Sequence, residues 1–222
     1  MSISIIISYD GTAQDDDALM LGKMLSAAGV SLSLAYVRHS REYDPRREEI
    51  GAHDADRRLE QGAVWLQDNT IKRHVVLNPS TSEGLAALAA SEGAAAVVFC
   101  SDYRTSPGRV EPGVSAQGLL EGGMVAIGVA ASGVRTRPEP VLRTISFASD
   151  DPGGTASETA RMLASAAGAE LLAGAHDADL IVVDSRASAP VGTVELDGIT
   201  RGWLDSARGS VLVLPHGTTL AF

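Results

Sequence analysis

The chain has 222 residues, of which 45% are hydrophobic and 21% charged, so it can fold as one compact domain or two small ones; disorder, collagen and coiled coil are excluded. Its 28 acidic and 18 basic residues give a formal net charge of −10, and no stretch supplies the cationic surface that nucleic-acid binding needs. A single cysteine, Cys100, excludes an intramolecular disulfide, and the N-terminal apolar run is too short to span a bilayer. We therefore expect an acidic cytoplasmic protein with no secretory signal and with neither a nucleic-acid nor a membrane partner.

Over residues 1–135, short apolar runs alternate with segments that carry apolar residues at helical spacing. The apolar runs predict strands at 3–9, 31–37, 74–77, 95–101 and 124–129. The intervening segments predict helices at 18–28, 54–66, 82–91 and 115–120. Strands joined through helices are typical of a parallel sheet with right-handed crossovers. The predicted fold is therefore α/β, with a doubly wound, mainly parallel five-stranded sheet and helices on both faces, followed by a shorter α/β repeat.

One charged segment interrupts this pattern. Between residues 38 and 75 there are eight basic and eight acidic side chains. Mixed charges without a net excess are typical of a solvent-exposed loop and helix. We interpret this segment as surface rather than as a binding site.

Two prolines mark the end of the first region. Pro138 and Pro140 cannot continue a helix, so the segment around them predicts a linker. The predicted organisation is a domain at 1–135, a linker at 136–143 and a shorter repeat at 144–222.

The second region repeats features of the first in the same order. A strand at 145–149 is followed by Asp150, as the first strand is followed by Asp10, and the strands at 178–185 and 211–214 match the fourth and fifth strands. The offset between matching residues falls from 140 at Asp150 to about 84 in the later strands. About fifty residues, the counterpart of the charged helix and the next strand and helix, are therefore missing from the second copy. These matches predict an internal duplication.

Several features of the first region together resemble a universal stress protein domain. They are the strand-Asp-Gly-Thr run at 5–12, the Ala/Leu helix ending at Gly29, the second strand ending in Tyr36-Val37, the helix at 82–90 and the run Gly113-Val-Ser-Ala-Gln117. The similarity covers nearly all of 1–135 and, in shortened form, 141–222. The resemblance implies an adenine nucleotide alpha-hydrolase-like fold, a role in a stress response, and a tandem arrangement with a truncated, degenerate second repeat. Because the family's dimers pair through last strands or neighbouring faces, it also implies a homodimer or an intramolecular pseudo-dimer.

The family's ATP-binding members carry a Gly-x2-Gly-x9-Gly-Ser/Thr pattern after the fourth strand, in which bare backbone N–H groups approach phosphate oxygens. In this chain the three glycine positions fall on Cys100, Tyr103 and Gly113. The hydroxyl position is Val114, and Ser115 comes one residue late. Two of the three glycines are thus replaced, which predicts a degenerate phosphate site. In the second copy the same count reaches Asp197, whose charge would repel a phosphate.

The resemblance also implies nucleotide contacts at the ends of the first two strands. A carboxylate there corresponds to Asp10, and a backbone contact to adenine corresponds to Val37. Asp10 has an equally good alternative interpretation as an Asx turn or helix cap with Gly11 and Thr12. The candidate nucleotide-binding residues are Asp10, Gly11, Thr12, Val37, Cys100, Gly113, Val114 and Ser115, with ATP or AMP as the candidate ligand. No catalytic residue and no metal ligand is assigned.

Two other features are interpreted as structural. Asp15, Asp16 and Asp17 could attract a divalent cation, but consecutive helical residues point about 100° apart, so we interpret them as acids that complement the helix start and keep it soluble. Cys100 ends an apolar strand with no adjacent histidine or cation to activate it, so we interpret it as an inert thiol.

Two hypotheses for function remain. In the first, the chain is a universal-stress-like binding and regulatory module with a degenerate nucleotide pocket, acting through protein association or a small ligand. In the second, the pocket still binds ATP or AMP, with Ser115, Arg104 or Arg109 replacing the lost donors, and hydrolyses ATP slowly at most. No acid and base pair can be placed in one cleft, so we favour binding over catalysis.

Overall fold

The computed structural model describes residues 3–148 and 153–222. Its strands are β1 (Ser4–Ser8), β2 (Ser31–Arg38), β3 (Lys72–Leu77), β4 (Ala96–Cys100), β5 (Ala126–Ala130), β6 (Thr144–Ala148), β7 (Glu170–Ala173), β8 (Leu180–Asp184) and β9 (Ser210–Leu214). Its α-helices are α1 (Asp15–Ser26), α2 (Pro45–Leu66), α3 (Thr81–Glu92), α4 (Val114–Leu120), α5 (Thr155–Ala167) and α6 (Gly198–Ser206). Asp150, the predicted counterpart of Asp10, lies outside the described residues.

All nine strands form one sheet in the order β3-β2-β1-β4-β5-β9-β8-β6-β7. The predicted parallel arrangement of the first five strands is confirmed. The sheet does not stop at β5, however, because β9 pairs with β5 in antiparallel register, with Gly128 opposite Leu212. The remaining pairs, β9-β8, β8-β6 and β6-β7, are parallel again. We call β1 to β5 the first half-sheet and β6 to β9 the second.

Helices cover both faces of this sheet, which explains why its strands contain consecutive apolar residues. Ile5, Ile6 and Ile7 are consecutive and all fully buried, because neighbouring strand residues point to opposite faces. One face packs against α1, α2 and α5, and the other against α3, α4 and α6. Both layers continue across the junction between β5 and β9.

Helix α2 is nine residues longer at its start than the predicted helix at 54–66. It begins at Pro45, and the carboxylate of Asp44 accepts hydrogen bonds from the backbone N–H groups of Arg46 and Arg47. Asp at the N-cap followed by Pro is a strong helix start. The prediction missed it because this first turn carries charges in place of apolar residues.

The predicted linker at 136–143 is held in place by polar and apolar contacts. The carboxylate of Asp179 accepts from the Arg137 guanidinium at 2.5 Å and from the backbone N–H groups of Arg143 and Thr144 at 2.7 and 3.1 Å. Leu142 is only 2% exposed. The segment therefore connects the half-sheets as a packed part of the fold.

The loops that follow β4 and β8 have the same hydrogen bonds, 84 residues apart. The hydroxyl of Ser101 donates to the carbonyl of Ala130 at 2.7 Å, and that of Ser185 donates to Leu214 at 2.6 Å. Three backbone N–H to carbonyl bonds also recur at this offset. In the first loop they join Asp102 to Glu111, Gly108 to Ser132 and Ser132 to Arg109. In the second loop the equivalent bonds join Arg186 to Glu195, Gly192 to His216 and His216 to Thr193. The two half-sheets thus share their loop scaffold as well as their strand order, apart from a strand equivalent to β3.

Candidate functional site

A cavity of about 400 Å³ opens at the carboxyl ends of β1 and β4, next to the start of α4. In open parallel sheets this edge is where ligands bind. The cavity is lined by Ser8, Asp10, Thr12, Gln14, Asp15, Phe99, Cys100, Ser101, Asp102, Tyr103, Gly113, Val114, Ser115 and Ala116. We call it the β1/β4 cavity.

Most of the predicted nucleotide-binding residues meet in this cavity. Six of them line it: Asp10, Thr12, Cys100, Gly113, Val114 and Ser115. Gly11 and Val37 lie elsewhere. Gly11 has φ +81°, a conformation that favours glycine, and a Cβ there would lie 3.2 Å from the Arg58 side chain. Gly11 therefore allows the tight turn that passes beside α2. Val37 is 4% exposed and sits inside the sheet, paired with Val76 of β3.

Asp15 closes the inner end of the cavity with a carboxylate that is only 6% exposed. One oxygen accepts from the backbone N–H of Asp10 at 3.1 Å, and from the N–H and hydroxyl of Thr12 at 2.8 and 2.9 Å. The other oxygen accepts from the thiol of Cys100 at 3.3 Å. Two backbone donors of the turn after β1, the N–H groups of Asp10 and Thr12, are therefore already used by an internal anion.

Asp17 is also buried, but it points to a different place. Its carboxylate is 2% exposed and accepts from the backbone N–H groups of Gly133 and Arg135 at 2.9 and 2.8 Å, and from the Arg135 guanidinium at 2.5 Å. The interpretation of Asp15 and Asp17 as solubilising surface acids is thus wrong. Asp15 and Asp17 bind separate sets of donors, and residues 3–148 and 153–222 contain no group of three or more metal-ligating side chains placed to hold a metal ion.

The β1/β4 cavity is electronegative. Three aspartates, Asp10, Asp15 and Asp102, line it, and none of its described lining residues is Lys, Arg or His. Desolvation by surrounding protein atoms, followed by the charge of Asp15, raises the pKa of Asp10 above the usual range of an aspartate, although Arg58 and His39 act in the opposite direction. Asp10 itself stands at the open rim of the cavity, so water screens part of this effect.

The thiol in this cavity is held in its neutral form. Burial, and then the charge of Asp15, raise the pKa of Cys100 well above that of an ordinary thiol. The charge of Asp15 also acts on Tyr9, whose pKa is raised to about 12 by burial, then by Asp16 and then by Asp15. A thiolate nucleophile is disfavoured here, which agrees with the interpretation of Cys100 as inert.

Neither arginine beside the loop after β4 lines the cavity. The guanidinium of Arg104 lies 4.9 Å from the centre of the Tyr103 ring. Arg109 reaches across to the second half-sheet, where it donates to the carbonyls of Ser206 and Ala207 at 3.2 and 3.4 Å. These side chains do not replace the donors that the glycine pattern has lost.

Sequence reasoning assigned no site role to Asp15, the residue that makes most polar contacts in this cavity. The signal was the spacing of Thr12 and Asp15, because a hydroxyl residue followed three positions later by an acid is typical of a capping box. Ser8, Gln14 and Asp102 were also missed as lining residues. They carry no motif, and only the arrangement of β1 against β4 brings them to one cavity.

Solved structures with the same architecture were found by comparison. A universal stress protein from Archaeoglobus fulgidus DSM 4304 aligns with a TM-score of 0.68 at 15% sequence identity, over 96% of this chain and 98% of that chain. The chain has the fold of the universal stress proteins. A functionally unknown protein from Pseudomonas aeruginosa PAO1 aligns with a TM-score of 0.55 at 13% identity, over 96% of this chain and 92% of its own. A candidate universal stress protein from Pseudomonas aeruginosa UCBPP-PA14 gives 0.56 at 15% identity, over 95% of this chain and 92% of its own.

Comparisons by sequence add no assignment: no family model and no curated protein sequence matches the chain. Among the described residues of this universal-stress-protein fold, no helix combines the length and the apolar character that crossing a membrane requires.

Proposed function

We propose that the chain is a tandem universal stress protein, with a truncated second repeat, that acts as a binding and regulatory module rather than as an enzyme. Its β1/β4 cavity takes a small ligand without a polyphosphate tail. The fold supports the family, and the shared loop hydrogen bonds 84 residues apart support the internal duplication. The antiparallel pairing of β5 with β9 supports an intramolecular pseudo-dimer.

One observation carries the ligand proposal: the Asp15 carboxylate already occupies two backbone donors of the turn after β1. A phosphate needs free N–H groups or cations, whereas Asp15 accepts from the N–H groups of Asp10 and Thr12. Displacing it would leave a buried charge without partners, which costs about 3–5 kcal/mol. The site is thus better matched to an uncharged or cationic group.

The charges along the wall support the same conclusion. A polyphosphate in this cavity would approach Asp10 and Asp102 with no cation among the described lining residues to balance it. Like charges at short distance in a partly desolvated site repel strongly. Adding phosphates to a bound adenosine should therefore weaken its binding stepwise.

Thermal shift with adenosine, AMP and ATP, each with and without Mg²⁺, tests this order. We expect adenosine to raise the melting temperature most and ATP least, with no rise at millimolar ATP. For comparison, a ligand present at a hundredfold excess over its Kd stabilises by about 2.7 kcal/mol, which is a rise of several degrees.

Two matched variants link this order to the cavity. Asp10→Asn removes a charge from the rim and should reduce the penalty for AMP and ATP relative to adenosine. Asp56→Asn removes one from the exposed side of α2, outside the β1/β4 cavity, and should leave the order unchanged. A clear rise with ATP in the unmodified protein, exceeding that with adenosine, would favour the alternative of an adenine-nucleotide-binding protein.

We also propose that the protein acts in a stress response, through protein association or its small ligand. This part of the proposal rests on the family alone.

A further inference from the structure

A second cavity lies on the other side of Asp10, between the end of β2 and helix α2. Its volume is about 400 Å³, and its lining includes Tyr36, Arg38, His39, Arg47 and Arg58. We call it the β2/α2 cavity. It lies in the charged segment that was interpreted from the sequence as surface. Its lining carries three arginines and two carboxylates, whereas the charged lining residues of the β1/β4 cavity are all acidic.

Part of the charge in this cavity is neutralised within the protein. Arg38 forms two hydrogen bonds with Glu48, at 3.0 and 2.8 Å, which accounts for that guanidinium. Asp54, which also lines the cavity, pairs with Arg57 at 3.2 Å. Glu42 is the remaining lining carboxylate.

Two guanidiniums are left without a carboxylate partner. Arg58 donates to the backbone carbonyl of Asp10, and its guanidinium carbon lies 5.4 Å from the centre of the Tyr36 ring, so the group is held in place without an ion pair among the described residues. Arg47 forms no ion pair within the described residues and is exposed on the first turns of α2. The imidazole of His39 also lines this wall.

A positive cavity is unexpected in a chain whose formal net charge is −10. Acids are plentiful, yet among the described residues none pairs with Arg47 or Arg58. Arginine presents several N–H donors in a planar fork, a geometry that matches phosphate oxygens and gives charge-assisted hydrogen bonds. A concave wall also lets more than one such fork face the same anion.

We propose that the β2/α2 cavity binds the phosphate group of a small ligand, held by Arg47 and Arg58 with His39 beside them. This site is separate from the ligand of the β1/β4 cavity and does not depend on the function proposed for that cavity. Arg58, which lines the β2/α2 cavity, donates to the backbone carbonyl of Asp10, which lines the β1/β4 cavity, so the two cavities are neighbours.

Titration with inorganic phosphate, followed by isothermal calorimetry or by amide chemical shifts, tests the site. Chloride at matched ionic strength serves as the reference for general screening. We expect saturable phosphate binding in the unmodified protein and at least about tenfold weaker binding in Arg47→Gln, since a charge-assisted hydrogen bond contributes about 1.5–3 kcal/mol. Arg47 is exposed, so this variant should fold normally.

Arg46→Gln is the matched control. It removes the same charge from the neighbouring residue, which is exposed and does not line the cavity. Its phosphate affinity should stay within about twofold of the unmodified protein, because only screened long-range attraction is lost. Equal weakening in Arg46→Gln and Arg47→Gln, or phosphate binding that does not saturate, would overturn the proposal.

A second variant tests the other guanidinium. Arg58→Gln should also weaken phosphate binding at least about tenfold. Adenosine binding in the β1/β4 cavity is measured on the same samples. Loss of phosphate binding with adenosine binding retained shows that the substitution affects the β2/α2 cavity alone, and the reverse result shows that it affects the β1/β4 cavity alone. Unchanged phosphate affinity in both Arg47→Gln and Arg58→Gln would show that the anion binds elsewhere.

Discussion

The two half-sheets keep the same loop scaffold but differ in the residues at its end. After β4, the loop leads to Gly113, which has no side chain to cap α4, and the β1/β4 cavity opens beside it. After β8, the equivalent loop leads to Asp197, whose carboxylate accepts from the N–H groups of Ile199 and Thr200 and caps α6 itself. A scaffold of backbone hydrogen bonds can therefore be retained while the helix that follows it has no side-chain cap in one half and a carboxylate cap in the other.

The largest expected difference between the two halves is in the loss of stability when Asp15 or Asp197 is replaced by alanine. Asp15→Ala removes a buried carboxylate that accepts from the N–H groups of Asp10 and Thr12, and we expect a loss of about 3 kcal/mol in the free energy of unfolding. Asp197→Ala removes a helix cap that water can replace, and we expect about 1 kcal/mol. Urea denaturation measures both. Equal losses would contradict the view that Asp15 is a buried anion of the fold whereas Asp197 is a helix cap that water can replace.

The shared scaffold itself should respond equally in the two halves. Ser101 and Ser185 are 4% and 5% exposed, and each donates to a strand carbonyl while accepting from a loop N–H, that of Glu111 or Glu195. Ser101→Ala and Ser185→Ala should each lower the free energy of unfolding by about 1–2 kcal/mol. Values that differ by more than about 1 kcal/mol would argue against equivalent loops, given the usual spread of such measurements. Ser91→Ala, on the exposed end of α3, is the control and should change little.

Strand β3, which has no equivalent among the described residues of the second half, should make a smaller and pH-dependent contribution to the free energy of unfolding. His74 of β3 is partly buried, and its buried Nε2 atom has no hydrogen-bond partner among the described atoms. Desolvation lowers the pKa of His74 from 6.5, although the nearby Glu92 raises it and Lys72 lowers it further. Below pH 6.5 the unfolded chain therefore binds a proton that the folded chain does not yet take up, so the free energy of unfolding falls as the solution is acidified.

Denaturation at several pH values from neutral to mildly acidic measures this effect. His74→Gln should remove that part of the pH dependence, whereas His53→Gln, at an exposed position on α2, should keep it. An unchanged pH profile in His74→Gln would assign the acid sensitivity to other groups.

Much of the fold could be predicted from the sequence because its signals are local. The apolar run at Ile5, Ile6 and Ile7 is a strand covered on both faces, and the structure places it in the sheet. Strand β7 was implied by the duplication but was given no bounds, since Glu170–Ala173 is short and lies at an exposed edge with little apolar contrast. The pairing of β5 with β9 joins residues more than eighty positions apart, and no local pattern specifies such a partner.

The candidate site was predicted in part, for a similar reason. The ends of β1 and β4 could be located from strand boundaries, and Asp10, Cys100 and Gly113 meet there. The burial of Asp15 could not be predicted, because acids at the start of a helix usually face water, and only the packing of α1 against β4 turns this one inward. The β2/α2 cavity was missed because balanced charge along the sequence hides which ions pair in space.

The antiparallel junction of β5 with β9 also has a mechanical consequence. It turns the second half-sheet around, so the carboxyl ends of the parallel strands in the two halves lie at opposite margins of one ribbon, and no hinge of bare backbone separates them. Rupturing either half exposes apolar side chains of the other. We therefore expect the chain to unfold in a single thermal transition. Any conformational effect of a bound ligand should be transmitted through the continuous strands rather than by a hinge motion between the two halves.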